Sequence, residues 1–293
     1  MKFNNKVENK ALFASILLAV SAIWGGAFVV MKSALLRIDV NSFLAWRFIA
    51  ATLLLIAIKP SVLKKIDKRF LAKGILVGTF LAGGYILQSF GLTLTTVAKT
   101  GFITGLYVVV TPIIGFFFLK KAVHGVQWLS VLLATAGLLL LSFKGFHVGL
   151  GEFLVFLSAI LFAAHIVALG EWSSGMDTYA LTVVQLGTCA ILTTLASFKS
   201  GFHTPPDSGV WWAIIYCAIF ATAIAFIFQT WAQSFMAPTT VAVILTMEVV
   251  FAALFGIAFA HEPLTLKTAL GGGAVMIAMY LIIWAEGREK IRA

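Results

Sequence analysis

The chain has 293 residues, of which 61% are hydrophobic and only 11% are charged. A soluble domain carries roughly a quarter charged residues, so this composition excludes an ordinary water-soluble enzyme and indicates a protein that lies mostly in lipid. The formal net charge of +10 would suit a nucleic-acid partner, but the positions of the basic residues explain it without one.

Apolar runs separated by short polar connections predict ten membrane-spanning helices. A helix needs about 20 apolar residues to cross a bilayer, and lipid offers no partner to backbone groups outside a helix or a closed barrel. The runs lack the alternation of barrel strands, so we predict an all-α integral membrane protein. In chain order the predicted spans are 11–31, 42–58, 71–94, 100–119, 127–143, 150–169, 179–198, 210–234, 239–260 and 264–284.

The basic residues predict which face of the membrane holds the termini. Cytoplasmic loops carry an excess of Lys and Arg. If the N-terminus is cytoplasmic, 14 of the 21 Lys and Arg residues lie in cytoplasmic segments, six lie outside, and Arg47 lies within the second span. We therefore expect both termini in the cytoplasm, the cell inner membrane as the location, and no nucleic-acid partner.

The two halves of the chain resemble each other at a fixed offset. At an offset of 141 residues, 84–119 falls on 225–260, and Gln88 on Gln229 is one of the identities. Each half has an odd number of spans, so the second copy is inserted upside down relative to the first, as in many transporters. The predicted repeats comprise residues 11–144 and 149–285.

Five short stretches carry a family resemblance. Residues 247–256 (MEVVFAALFG), 261–265 (HEPLT) and the glycines at 271–273 lie in the second half, and residues 21–28 (SAIWGGAF) and 111–112 (TP) lie in the first. Together they resemble the EamA-type transporters of the drug/metabolite transporter (DMT) superfamily, and the resemblance covers nearly the whole chain.

This resemblance implies ten transmembrane helices in two inverted five-helix repeats. It also implies a central cavity built from the first, third and fourth helices of each half, which moves a small metabolite by alternating access. Amino acids, nucleotide sugars and other organic solutes are substrates across the family. We expect export of a small amphipathic or amino-acid-like solute. No cofactor is expected, because Cys189 and Cys217 both lie in apolar runs and form no metal motif.

Glu248 is the clearest candidate site residue, because it lies near the middle of the ninth predicted span. A charge there costs about 2.5–3.5 kcal/mol on insertion scales, so its side chain should face the bundle interior. It would then exchange a proton, which predicts proton coupling, or pair with a cationic solute. The alternative is a structural role, either as a permanent pair with Arg47 or as a protonated, hydrogen-bonded acid. For Arg47 itself, snorkelling to the interface is feasible and a structural role is favoured.

Other polar and aromatic residues lie deep in the predicted spans. The repeat mates Gln88 and Gln229 can each donate and accept hydrogen bonds, and Thr104 and Tyr107 share one face of the fourth span. Deep aromatic rings can form an apolar or cation–π wall, and a histidine can bind solute or carry a proton. The alternative for each is plain helix packing. The predicted substrate-binding residues are Trp24, Phe28, Tyr85, Gln88, Thr104, Tyr107, His165, Gln229 and Glu248.

Pro112 is predicted to act in gating. It lies midway through the fourth span and lacks the backbone N–H that would continue the helical hydrogen bonding. This predicts a kink at Pro112 that acts as a hinge.

Two other functions are weighed against a transporter. An intramembrane metalloprotease is suggested by His261 and Glu262, but the second histidine of an HExxH motif would stand at Thr265. A passive channel would show rings of charge or a carbonyl filter motif, and a saturable flux with counterflow would separate the two. We therefore predict a transporter and not an enzyme.

Overall fold

The computed structural model describes residues 4–120, 124–142, 149–260 and 265–292. Among these residues, nine helices are long and apolar enough to cross a membrane, and a tenth apolar helix at Gly125–Leu140 is shorter. These ten helices confirm the predicted all-α membrane fold of ten spans in two five-helix repeats.

The helices follow the predicted spans, and the fourth, eighth and ninth spans are each interrupted. In the eighth span the interruption is a π-helical stretch, called the π segment below. The elements are α1 (Asn4–Leu35), α2 (Val40–Ile58), a 3₁₀ turn (Pro60–Lys65), α3 (Lys68–Leu94), α4 (Val97–Gly105), α5 (Tyr107–Leu119), α6 (Gly125–Ser142), α7 (Leu150–Trp172), α8 (Thr178–Ser197), α9 (Ser208–Ala218), the π segment (Ile219–Ile224), α10 (Ala225–Gln233), α11 (Pro238–Leu245), α12 (Met247–Ala260) and α13 (Leu266–Arg292).

The fourth and ninth spans are interrupted within one residue of equivalent positions of the two repeats. Leu106 separates α4 from α5, and Thr246 separates α11 from α12. The backbone N–H of Val109 donates to the Leu106 carbonyl (3.0 Å) and that of Val249 to the Thr246 carbonyl (3.1 Å), a tighter turn than an α-helix makes. The sequence places a kink at Pro112, but α5 runs through Pro112 and the chain is interrupted earlier. The predicted hinge role of Pro112 stays a prediction.

The two repeats interlock through close helix crossings. A Cβ atom added to Gly91 of α3 would lie 2.7 Å from the carbonyl oxygen of Gly151 in α7. The two backbones therefore touch, as they do where small residues drive helix association in lipid. Both clusters of buried apolar side chains likewise combine residues of the first and second repeats.

Ion pairs join the repeats at the distal face, which we define as the face where α1 ends and α2 begins. Arg37 Nη1 lies 2.7 Å from Asp207 Oδ2, and Lys99 Nζ lies 2.7 Å from Glu152 Oε1. The hydrogen bond from the backbone N–H of Val210, together with the Arg37 charge, lowers the pKa of Asp207 below its usual range. Ion pairs between partly exposed side chains are weakened by solvent, so their main effect is to align the two repeats at this face.

A further ion pair joins the repeats at the terminal face, where α1 begins and α13 ends. Lys65 Nζ, in the 3₁₀ turn, lies 2.5 Å from Asp177 Oδ2. Asp177 also caps α8, because its Oδ1 atom accepts the backbone N–H of Ala180. The repeats are therefore tied together on both faces.

Candidate functional site

A cavity of about 60 Å³ lies between the two repeats, next to the interruptions of the fourth and ninth spans. Residues of the first, third and fourth spans of each repeat line it, joined by Arg47 of the second span. The lining includes all nine predicted substrate-binding residues: Trp24, Phe28, Tyr85, Gln88, Thr104, Tyr107, His165, Gln229 and Glu248. Their role in binding stays a prediction.

Glu248 is buried beside the interruption of the ninth span. Its side chain is 4% exposed, and its Oε1 atom accepts no hydrogen bond from the described residues. Within the described part of the chain, no cationic nitrogen lies within 4.0 Å of this carboxylate. The structure therefore does not contain the permanent pair with Arg47. Because α12 begins at Met247, Glu248 lies in its first turn, where the positive end of the helix dipole favours a negative charge.

Two more oxygen atoms on the cavity wall lack partners among the described residues. They are Tyr107 Oη and Gln229 Oε1, whose side chains are 4% and 1% exposed. The other end of the Gln229 amide is satisfied, because its Nε2 atom donates to Gln233 Oε1 at 2.9 Å. A buried polar atom left unpaired costs about 1–3 kcal/mol, so three such atoms around one cavity suggest a ligand that donates several hydrogen bonds.

The first-repeat glutamine has a partner of its own. Gln88 Nε2 donates to Thr104 Oγ1 at 3.0 Å and so joins α3 to α4. This bond between two helices agrees with the packing role that the sequence left open for Gln88. Both side chains also line the cavity. The repeat mates Gln88 and Gln229 therefore differ in their surroundings, and the second-repeat side of the cavity holds more unsatisfied acceptor oxygens.

His165 is held in a buried chain of hydrogen bonds. Its Nε2 atom lies 2.9 Å from Gln185 Oε1, and Gln185 Nε2 donates to Thr230 Oγ1 at 3.0 Å. The ring also packs edge-on against Phe226, with the centroids 6.0 Å apart. One ring nitrogen is thus satisfied as a structural histidine would be, while the ring faces the cavity.

Arg47 is buried at the cavity wall, an orientation that the sequence did not predict. It is 1% exposed and does not snorkel to the interface. Its Nε atom donates to Thr222 Oγ1 (2.6 Å), its Nη2 atom donates to the Ala221 carbonyl (3.1 Å), and its guanidinium lies 4.6 Å from the Tyr85 ring centroid. These oxygens, supplied by the π segment, explain the inward orientation. The argument used for Glu248, that a charge within a span should face the interior, would have found it.

Aromatic rings form most of the remaining wall. The Trp24 and Phe226 centroids lie 5.5 Å apart, and the Tyr85 and Phe162 centroids lie 5.3 Å apart. Trp24 Nε1 donates to the Ala221 carbonyl at 2.9 Å, which fixes the indole against the π segment. An apolar wall with a few convergent polar groups is typical of small-molecule sites.

Comparison with known proteins identifies the family. The sequence profile of the EamA-like transporter family matches residues 12–143 and 149–284. The chain belongs to this family. Two proteins of Archaeoglobus fulgidus, both named "Uncharacterized transporter", are similar to this EamA-like chain. One is 32% identical over 93% of this chain and 86% of its own length, and the other is 24% identical over 91% and 96%.

A solved crystal structure shares the fold of this EamA-like protein. Its TM-score is 0.78, and the match covers 92% of this chain and 96% of that one at 16% sequence identity. The family and its relatives point to a multi-pass membrane transporter rather than an enzyme. His261 and Glu262, which suggested a protease comparison, lie outside the described residues, as does the end of the first predicted repeat at residue 144.

Proposed function

We propose that this EamA-like protein is an alternating-access carrier that exports a small amphipathic, amino-acid-like solute across the cell inner membrane, with both termini in the cytoplasm. The observation that carries the proposal is a set of three oxygens, of Glu248, Gln229 and Tyr107, that find no hydrogen-bond partner in the described part of the chain and lie on the wall of one mostly apolar cavity.

The chemistry of these three oxygens favours a primary ammonium group. An ammonium carries three N–H donors and no acceptor, and a carboxylate and an amide oxygen are acceptors only. The carboxylate of Glu248 supplies the opposite charge, and nearby aromatic faces add cation–π attraction. The aromatic wall suits the apolar part of the same solute.

Alternating access finds support in the interrupted spans and in the ties between the repeats. Discontinuous helices near the midplane are where carriers of this plan build their sites. The ion pairs Arg37–Asp207 and Lys65–Asp177 link the repeats at opposite faces, so breaking one set at a time would open one face at a time. A small, mainly apolar cavity between such ties also favours a carrier over a passive channel, which needs a continuous wet path.

Glu248 supports proton coupling and the export direction. A carboxylate that binds an ammonium group would take up a proton when the solute leaves, so the two cations would compete for one site. Inward movement of protons would then drive the ammonium-bearing solute outward.

Ligand-dependent stability of the purified protein tests this proposal. We expect amphipathic amines and amino acids to raise the melting temperature, because a solute that binds only the folded protein stabilises it. Nucleotide sugars should give no shift, because Arg47 is the only Arg or Lys on the described wall and cannot neutralise a diphosphate. Stabilisation by nucleotide sugars alone would contradict the proposal.

A further inference from the structure

Arg47 carries a buried charge without a carboxylate partner. Among the described residues, no Asp or Glu oxygen lies within 4.0 Å of its guanidinium. Neutral groups satisfy it instead: the Thr222 hydroxyl, the Ala221 carbonyl, the Tyr85 hydroxyl at 3.3 Å and the sulfur of Met31 at 3.3 Å. Sulfur is a weak acceptor, so the Nη1 end of the fork has the poorest partner.

The groups that hold Arg47 belong to an irregular stretch of helix. The π segment lies between α9 and α10, and π-helical turns of this kind recur at functional sites. The Ala221 carbonyl accepts two side-chain hydrogen bonds, one from Arg47 and one from Trp24. Both donors belong to the first repeat, so both bonds cross between the repeats. The guanidinium therefore ties the first repeat to the irregular helix of the second, at the wall of the cavity.

Three observations together indicate an exchangeable partner. The guanidinium lines the cavity, its five N–H donors form a fork that matches a carboxylate, and its present partners are neutral. Charge-assisted bonds to a carboxylate are roughly twice as strong as bonds to neutral acceptors, so an anionic group entering the cavity would compete with Thr222 and Ala221. A doubly charged phosphate suits this wall less well, because Glu248 also faces the cavity.

We propose that Arg47 binds a carboxylate on the transported solute, and that it does so by giving up its hydrogen bonds to Thr222 and Ala221 in the π segment. This inference rests on the proposed function and extends it. Arg47 would hold the anionic end of the solute and Glu248 the cationic end. Solute binding would also untie the first repeat from the π segment, which couples occupancy of the cavity to movement of the eighth span.

Binding of three matched solutes tests the inference on the purified full-length protein. Phenylalanine, phenethylamine and hydrocinnamate share one ring and differ in whether they carry both charged groups, the ammonium alone or the carboxylate alone. We expect phenylalanine to bind the parent protein about tenfold or more tighter than phenethylamine, because a charge-assisted carboxylate bond is added. In R47Q this advantage should vanish while phenethylamine still binds.

A second variant keeps the test decisive if R47Q fails to fold. T222V removes the hydroxyl that competes for the Arg47 Nε atom and keeps the shape of the side chain. We expect T222V to bind phenylalanine several-fold tighter than the parent does, with phenethylamine binding as the internal reference. A purely structural Arg47 predicts the opposite, namely no change or weaker binding of both solutes.

The outcomes separate the inference from the proposed function. Equal binding of phenylalanine and phenethylamine by the parent, unchanged in T222V, would overturn the role of Arg47 and leave the carrier proposal standing. Failure of the parent to bind any amine or amino acid would overturn the proposed function and the inference with it.

Discussion

Replacing Glu248 with glutamine is expected to lower transport of an ammonium-bearing solute by about 10- to 100-fold, because a charge-assisted hydrogen bond contributes about 1.5–3 kcal/mol. The parent should also slow as the pH falls, since a protonated Glu248 no longer attracts the cation, and Glu248→Gln should not. Uptake into proteoliposomes, measured from mildly acidic to mildly alkaline pH, provides both readouts.

The stability of the same variant provides its control. Glutamine has nearly the shape of glutamate and removes a buried charge that has no cationic partner among the described residues, so Glu248→Gln should melt no lower than the parent. Glu248→Asp retains the charge on a shorter side chain and should transport at an intermediate rate. If Glu248→Gln matches the parent in both rate and pH profile, Glu248 is structural.

Replacing Gly25 with alanine is expected to abolish most transport and to destabilise the protein by about 1–3 kcal/mol, the usual cost of overpacking a filled site. A Cβ atom at Gly25 would lie 2.7 Å from the backbone oxygen of Glu248 and 2.9 Å from the backbone nitrogen of Ala252. Backbone cannot rotate away as a side chain can, so α1 and α12 would have to separate and Glu248 would shift in the cavity.

The neighbouring glycine offers a matched control. A Cβ atom at Gly26 would find its nearest neighbour, Tyr216 Oη, at 3.4 Å, which is an ordinary contact. Gly26→Ala makes the same chemical change in the same helix and should keep nearly the parent melting temperature and transport rate. Thermal unfolding in detergent, combined with uptake, measures both variants. Equal losses in the two would show that the crossing at Gly25 is not what positions Glu248.

The membrane fold was predictable because lipid restricts the backbone to few choices. Long apolar runs must be helices, and the polar segments between them mark where each helix ends. The sequence therefore predicts every span that the structure describes. The inward orientation of the Glu248 side chain was predictable for the same reason, since a charge within a span is costly when it faces acyl chains. The aromatic and amide residues were selected because they lie deep within the predicted spans, and the fold places them around one cavity.

The interruptions of the helices were not predictable in the same way. Leu106 and Thr246 are neither glycine nor proline, and residues 219–224 (IFATAI) would suit a regular helix. The π segment makes tertiary contacts that its own sequence does not indicate, such as the hydrogen bonds that Arg47 and Trp24 donate to the Ala221 carbonyl. The interruption of the fourth span at Leu106 lies six residues before Pro112, and local propensity does not report the tertiary contacts around such a turn.

Counterflow in proteoliposomes tests most directly whether the two repeats form a carrier around one midplane site. Vesicles loaded with unlabelled phenylalanine or phenethylamine should take up the labelled solute faster than empty vesicles, with a rate that saturates as the external concentration rises. A flux that grows linearly with concentration and ignores the solute inside would contradict the account and indicate an open pore.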